Sequence, residues 1–222
     1  MSKPSRDEVL RIEVTIGAPV EVVWAALREP EQIRRWHGWH FDGLDEEVKL
    51  IYETGAHEAD RPYVLVIEPD DRFELEEVEG GTLVRIIRSK PDPDSDWAAY
   101  FDDVTEGWIS FLNQLRFMLE RHPADERRTL FFSADRAVVE PEELIAVSPA
   151  GNGEEWFTAE NQRGVVVDDL GPGLLIVGTA KDNRAMAILT TYGQDDAAFA
   201  RTREQWAAWW SGIHPTAPAP VV

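Results

Sequence analysis

The longest strongly periodic segment of the chain reads WAAYFDDVTEGWISFLNQLRFMLER and spans residues 97–121. Its apolar residues recur at steps of three and four, which places them on one side of an α-helix. A helix of about 25 residues is about 37 Å long, so its apolar side needs a broad surface to cover. We expect that surface to be an antiparallel sheet. The apolar positions are Phe101, Val104, Trp108, Phe111, Leu115 and Leu119.

The residues before this helix predict the sheet. Residues 9–16, VLRIEVTI, alternate apolar and polar side chains, which is typical of a half-buried strand. Pro19 then begins a short helical stripe, and a second short helix follows Pro30. The pair Gly80-Gly81 indicates a hairpin turn. Further strands are predicted at residues 46–53, 61–68, 72–79 and 82–89.

The order of elements after the helix echoes the order before it. A strand is predicted at residues 129–133, a short helix at 141–147, and a second amphipathic helix at 195–210. The motif PVEVV at 19–23 compares with PEELI at 141–145, and DWAAY at 96–100 with DDAAF at 195–199. We therefore favour a degenerate repeat of the first unit, with a strand-rich extension that packs on the first unit as the rival. The other strands of this half are predicted at 155–158, 164–167, 173–178 and 185–192.

The composition limits the classes of function. The 222 residues carry a formal net charge of −20, which argues against binding to nucleic acid or to an anionic membrane. Cysteine is absent, so disulfides, zinc–thiolate sites and thiol nucleophiles are excluded. The sequence shows neither a signal-peptide run nor a membrane-spanning run, so we expect a cytoplasmic protein. The Pro/Ala-rich residues 214–222 predict a flexible tail.

Motifs for metal or covalent chemistry are weak. His37 and His40 lie three residues apart, and Asp42 or Glu46 could complete a metal site, but we interpret all of them as residues of an aromatic-rich turn. Residues 92–103 match a calcium loop at several acidic positions, yet Trp97 stands where the loop requires glycine. Neither a phosphate-binding loop nor a nucleophile elbow occurs. The sequence therefore predicts no metal, no cofactor and no catalytic residues.

Four stretches resemble one known family. They are APVEVVWAAL at 18–27, EPEQIRRWHG at 29–38, GGTLVRI at 80–86 and EGWISFLNQLRFMLE at 106–120. In this order and spacing they resemble the START-like (SRPBCC) superfamily, and most of all its branch of heat-shock-protein-90 ATPase activator homologues, over about residues 9–121. The resemblance implies an α+β helix-grip fold, in which an antiparallel sheet wraps around a long C-terminal helix. We expect this domain at residues 1–123 and a second α+β unit at 124–213.

The resemblance also implies a site. A helix-grip cavity lies between the sheet and the long helix, and its lining is mostly apolar with a few polar groups. The residues expected to line it are Trp24, Trp36, Trp39, Phe41, Tyr52, Tyr63, Phe73, Tyr100, Val104, Trp108 and Phe111.

Three classes of function follow from the resemblance. The superfamily implies non-enzymatic binding of a small hydrophobic or aromatic molecule, which we favour. The branch implies a protein-interaction or co-chaperone-like module. A cyclase- or hydrolase-like enzyme is the third hypothesis, and the missing acid–base constellation disfavours it.

Overall fold

The computed structural model divides the chain into two compact units. Unit 1 comprises the residues up to His37 together with Gly43–Glu120, and unit 2 comprises Gly38–Asp42 together with Arg121–Val222. The structure describes residues 9–67, 71–89, 91, 94, 98, 100–136, 138–151, 153–170, 172–180 and 183–222. Within them, no helix has both the length and the apolar character that a membrane span requires.

Unit 1 is a five-stranded antiparallel sheet with helices. The sheet order is β1-β5-β4-β3-β2, so the first strand pairs with the last. The long helix, α4, comes after β5 in the element order. The elements are β1 (Val9–Ile16), α1 (Val20–Arg28), α2 (Pro30–Ile33), α3 (Leu44–Val48), a π-helical turn (Lys49–Thr54), β2 (Ala56–Glu58), β3 (Val64–Ile67), β4 (Asp71–Val78), β5 (Gly81–Ser89) and α4 (Phe101–Arg121).

One predicted strand of unit 1 is wrong. Residues 46–53 form the end of α3 and most of the π-helical turn, and the strand of this region is the later β2. Leu44, Val48 and Tyr52 are all buried and lie four residues apart. This spacing belongs to one face of a helix, whereas a strand buries every second residue.

The apolar face of α4 is shifted from the predicted stripe along its second half. Trp108, Leu112, Leu115 and Met118 are buried at steps of four and three. Val104, Phe111 and Leu119 are only half-buried. The predicted helix start at Trp97 lies outside the described residues.

Unit 2 repeats the topology of unit 1. Its sheet order is β6-β10-β9-β8-β7, so again the first strand pairs with the last and the others form a meander. The predicted doubled helix-grip fold is therefore confirmed. The elements are β6 (Arg127–Ala134), α5 (Pro141–Ala146), β7 (Glu155–Thr158), β8 (Gln162–Val167), a 3₁₀ turn (Asp168–Leu170), β9 (Gly173–Thr179), β10 (Ala185–Tyr192) and α6 (Asp196–Ile213).

Unit 2 has its own core beneath α6. Leu130 and Phe132 of β6 pack in one buried cluster with Phe199, Trp206 and Trp210 of α6. The N-terminus of α6 is capped by Asp195, whose side chain accepts a hydrogen bond from the Ala198 amide at 2.7 Å.

The C-terminal residues have a defined place in unit 2. Val221 and Phe131 exchange two backbone hydrogen bonds of 2.9 and 3.0 Å, so the end of the chain pairs with the edge strand β6. The Pro/Ala-rich composition did not predict this pairing. It occupies backbone groups that an edge strand otherwise leaves open.

The hairpin between β4 and β5 generates the first prediction. A Cβ atom on Gly81 would lie 2.1 Å from the Ile16 carbonyl oxygen, whereas a Cβ on Gly80 would meet nothing within 4 Å. We expect Gly81→Ala to lower the free energy of unfolding by at least about 2 kcal/mol, because backbone must move to admit the methyl group. Gly80→Asn is the matched control, since asparagine tolerates the positive φ of that position. Urea denaturation of both variants checks this, and equal stability would contradict it.

Candidate functional site

Aromatic rings from the helices and the sheet of unit 1 surround the imidazole of His37. His37 is 1% exposed, and its ring centroid lies 4.7 Å from that of Phe111 and 6.0 Å from that of Trp108. Trp108 in turn meets the ring of Phe73 edge-on at 5.3 Å. Trp36 and Tyr52 contact His37 edge-on at 5.7 and 5.3 Å. These contacts join the turn after α2, the π-helical turn, β4 and α4 in one aromatic cluster.

His37 is the centre of a chain of hydrogen bonds. Its Nδ1 lies 3.0 Å from the Tyr52 hydroxyl, and its Nε2 lies 2.9 Å from Oε1 of Glu47. Glu47 reaches solvent, since its side chain is 38% exposed. Burial, together with the charge of Glu47, raises the pKa of Tyr52 well above its ordinary value. Tyr52 therefore stays a neutral phenol at physiological pH.

Trp108 presents a polar group without a partner. The residue is 5% exposed, and its indole N–H has no hydrogen-bond partner among the described residues. Indole nitrogen is a donor only, so it needs an acceptor atom. An unsatisfied buried donor costs about 1–3 kcal/mol of stability.

Arg88 is a fully buried cation near the end of β5. Its Nε donates to Asp71 at 2.9 Å, and its Nη1 donates to the Phe101 carbonyl at 3.0 Å and to the Thr105 hydroxyl. The guanidinium carbon lies 4.3 Å from the centroid of the Phe101 ring. Its Nη2 has no hydrogen-bond partner in the described part of the chain. Arg88 thus ties β5 to the first turn of α4 and retains donor capacity.

The sequence reasoning missed Arg88 and the role of His37. Arg88 continues the inward-facing alternation of Thr82, Val84 and Ile86, which are all buried. A charged residue at such a position was the signal that could have identified it. The sequence places His37 with His40 in an aromatic-rich turn, whereas the structure assigns His37 to unit 1 and His40 to unit 2.

The structure distributes the predicted lining residues over several places. Trp24 and Tyr63 form a half-buried pair with ring centroids 5.8 Å apart, Tyr100 is 59% exposed, and Val104 is half-buried on α4. Trp39 and Phe41 belong to unit 2, where Trp39 stacks on Phe131 at 3.8 Å. The residues brought together in the aromatic cluster are Trp36, Tyr52, Phe73, Trp108 and Phe111.

Unit 2 contains a group of positively charged and titratable residues beside Trp39. Arg127 is buried and its Nη2 donates to the Gly38 carbonyl, while the His40 amide donates to Thr129 Oγ1 at 2.7 Å. Burial lowers the pKa of Arg127 to about 10. Burial, with the charges of Arg127 and Arg128, lowers the pKa of His40 to about 4. His40 is therefore neutral at physiological pH.

Comparison with known proteins shows structural likeness only. No family model and no curated protein matches the chain. DynU16, a protein of the dynemicin biosynthetic locus, is 15% identical with a TM-score of 0.35, over 93% of this chain and 96% of its own. The Aha1 dimer protein of Colwellia psychrerythraea is 22% identical with a TM-score of 0.33, over 51% of this chain and 97% of its own.

An AHSA1-like protein of Rhizobium etli is also 22% identical, with a TM-score of 0.38, over 55% of this chain and 90% of its own. The structural neighbours thus include the Aha1-like group that the sequence resembles. TM-scores this low carry no inference about function, which has to come from the residues of this chain.

The buried pair of Arg88 and Asp71 generates a prediction about stability. Arg88→Met leaves Asp71, which is 15% exposed, without its guanidinium partner. We expect the free energy of unfolding to fall by about 3 kcal/mol, as for other buried pairs that lose one member. Arg85→Met is the matched control on the same strand, because Arg85 pairs with the exposed carboxylates of Glu13 and Glu76. The free energy of unfolding of this control should fall by less than about 1 kcal/mol. Chemical denaturation measures both, and equal losses would show that Arg88 does not hold the helix start.

His40 generates a prediction about pH. Its pKa falls from 6.5 to about 4 on folding, so the unfolded chain binds the proton more readily between these values. The free energy of unfolding should therefore fall as the pH drops from 6.5 to 4, and His40→Gln should remove this contribution. Denaturation at pH 7 and pH 4.5 compares the wild type with His40→Gln, and with His57→Gln as an exposed control. A midpoint near 6.5 for His40 in a proton NMR titration would contradict the prediction.

Proposed function

We propose that unit 1 binds a small apolar or aromatic molecule that carries a neutral hydrogen-bond-accepting oxygen. The ligand lies between the sheet and the first half of α4, against Trp108 and Phe111. Binding is non-enzymatic. The observation that carries this proposal is the buried indole N–H of Trp108, which has no partner among the described residues.

The surroundings of Trp108 favour an aromatic ligand. Its ring meets Phe73, Phe111 and His37 at centroid distances of 5.3 to 6.1 Å. Aromatic side chains bind flat, apolar molecules through edge and face contacts. A ligand oxygen that accepts from the indole nitrogen would offset the cost of the unsatisfied donor. Affinity and orientation would then come from the same residue.

The two halves of α4 differ in a way that supports access to this site. Leu112, Leu115 and Met118 are each 0% exposed and form ordinary core. Val104 and Phe111 are only half-buried, although they lie on the side of the helix that carries Trp108. A ligand that covered them would bury apolar surface at about 25 cal/mol per Å².

The charges of unit 1 favour a neutral ligand. Arg88 offers its Nη2 as a second buried donor, but Asp71 already balances its positive charge. A carboxylate ligand would add a buried negative charge without a counter-ion, which is costly. The net charge of −20 also repels anions. A ketone, ester or amide oxygen meets the donors without that cost.

The hydrogen-bond chain at His37 supports binding over catalysis. Both ring nitrogens of His37 are engaged, by Tyr52 and by Glu47. The Tyr52 hydroxyl is engaged by the same imidazole and stays protonated, because its pKa is raised. A general base needs a free lone pair within reach of the substrate. In our proposal this chain holds the wall of the site in place.

The test uses two probes of nearly equal shape, 2-acetylnaphthalene and 2-ethylnaphthalene. The first carries a carbonyl oxygen and the second does not. We expect Trp108→Phe to weaken binding of 2-acetylnaphthalene about fivefold, the effect of one lost hydrogen bond. Binding of 2-ethylnaphthalene should change little, because phenylalanine keeps an aromatic ring there. Isothermal titration calorimetry measures both.

Trp156→Phe is the control for loss of a tryptophan. Trp156 lies on β7 in unit 2, where its ring meets the Arg121 guanidinium at 5.5 Å. This variant should bind both probes as the wild type does. If Trp108→Phe lost the same affinity for both probes, the proposed hydrogen bond between the Trp108 indole and the ligand oxygen would be wrong. If the wild type bound neither probe, the ligand-binding proposal would fail and the protein-interaction hypothesis would be the one to pursue.

A further inference from the structure

We infer that unit 2 carries a second, independent binding site for a neutral aromatic carbonyl compound, formed by the indoles of α6. The inference extends the ligand class of the proposed function to residues that the proposed function does not use. The residues that form this second site are Trp206, Trp209, Trp210 and His214. The two sites can therefore fail separately.

Four buried polar atoms of this stretch have no hydrogen-bond partner among the described residues. They are the indole nitrogens of Trp206, Trp209 and Trp210 and the Nε2 of His214. Trp206, Trp210 and His214 are 0%, 2% and 5% exposed. Native proteins leave only a few buried polar groups unsatisfied per 100 residues, so such a concentration at one helix end calls for a partner.

The helical spacing brings these groups together on one side of α6. Trp206, Trp210 and His214 follow one another at steps of four residues, and Trp209 is a neighbour of Trp206 at a step of three. Trp206 and Trp209 lie 5.3 Å apart, Trp209 and Trp210 lie 5.5 Å apart, and Trp210 and His214 lie 4.4 Å apart, all between ring centroids. The side chains thus form one contiguous aromatic surface.

This surface faces the sheet of unit 2. Trp206 and Trp210 belong to the buried cluster beneath α6, and the ring of Trp210 lies 5.5 Å from that of Phe132 on β6. Trp209 is only partly buried where it packs against the same cluster. Its ring lies 6.1 Å from that of Phe132 and nearly perpendicular to it. Trp209 is thus the one member of this group that is partly open to solvent.

In a core that binds no ligand, tryptophan at these positions lowers stability. A phenylalanine supplies an aromatic surface of similar kind without a donor that needs an acceptor. Each unsatisfied indole nitrogen lowers stability by about 1–3 kcal/mol. The same feature occurs in unit 1, where the buried indole of Trp108 lies on the terminal helix. In both units the terminal helix offers donors without acceptors.

The donors define the chemistry of the ligand. Indole nitrogen donates and never accepts, so the ligand must contribute acceptor atoms. Burial lowers the pKa of His214, so its imidazole is neutral at physiological pH and adds no positive charge. The guanidinium of Arg128, which lies 5.2 Å from the Phe199 ring of α6, is already paired with Asp196. A carbonyl oxygen on an aromatic framework meets these conditions, and a carboxylate does not.

The test examines unit 2 in a protein whose unit 1 lacks the indole N–H of Trp108. The Trp108→Phe chain is labelled with ¹⁵N in its tryptophan side chains and titrated with 2-acetylnaphthalene. We expect saturable shifts of the Trp206, Trp209 and Trp210 indole signals. The resonances are assigned with Trp206→Phe, Trp209→Phe and Trp210→Phe, and the Trp156 signal serves as the internal control.

Affinity gives an independent readout. In the Trp108→Phe background, Trp209→Phe or Trp210→Phe should weaken binding of 2-acetylnaphthalene about fivefold for each donor that bonds the ligand. Binding of 2-ethylnaphthalene should be nearly unchanged. Trp209→Phe is the decisive variant if Trp210→Phe fails to fold, because Trp209 is only partly buried.

Two results would overturn the inference. One is a titration in which the α6 indole signals stay in place at saturating 2-acetylnaphthalene. The other is unchanged affinity in the α6 variants, which would make these indoles unsatisfied core residues. Neither result bears on Trp108, so the proposed function of unit 1 would stand or fall on its own test.

Discussion

Each unit depends on the pairing of its first strand with its last. In unit 1, β1 and β5 pair from Val9 opposite Ser89 to Ile16 opposite Thr82. In unit 2, β6 and β10 pair from Arg127 opposite Tyr192 to Ala134 opposite Ala185. This pairing joins the first strand of the sheet to its last, and the terminal helix of each unit comes after the last strand. The helix must then return over the face of the sheet that needs to be buried.

The closing pair also explains the position of the buried cation. Arg88 is the last inward-facing residue of β5 before the chain leaves for α4, and Asp71 lies opposite it on β4. Since the helix begins at Phe101, a residue at this point of the strand can reach the first turn of the helix. A guanidinium with several donors suits this junction, because it bonds the neighbouring strand and the helix backbone at once.

Most elements could be predicted from periodicity, because each has one face in a core. Residues 10–16 alternate strictly, α4 and α6 show steps of three and four, and Gly80-Gly81 marks the hairpin. The region around residues 46–53 was mispredicted because its valine, isoleucine and tyrosine favour strands in isolation. Burial of Leu44, Val48 and Tyr52 on one side decided in favour of a helix. Tertiary contacts of that kind are not visible in a local window.

The sequence predicted an aromatic cluster in unit 1, but only some of the residues that form it. The aromatic stretch from Trp36 to Phe41 is continuous in sequence, yet the division between the units falls between His37 and Gly38. Trp36 and His37 therefore join the cluster of α4, while Trp39 stacks on Phe131 of β6. Sequence distance carries no information on which side of such a division a ring belongs.

Buried hydrogen-bond donors without acceptors distinguish the interiors of the two units from ordinary apolar cores. An apolar interior made of leucine and phenylalanine binds by shape alone and discriminates weakly among molecules of similar size. A buried donor without an acceptor changes this, because a ligand that lacks the acceptor leaves the donor unsatisfied and is disfavoured. The same donor lowers the stability of the empty unit, so part of the binding free energy is regained stability. Unit 1 combines an indole with a charge-balanced guanidinium, whereas unit 2 combines indoles with a neutral imidazole. In our proposals the two units of the repeated fold therefore favour neutral acceptors through different residues.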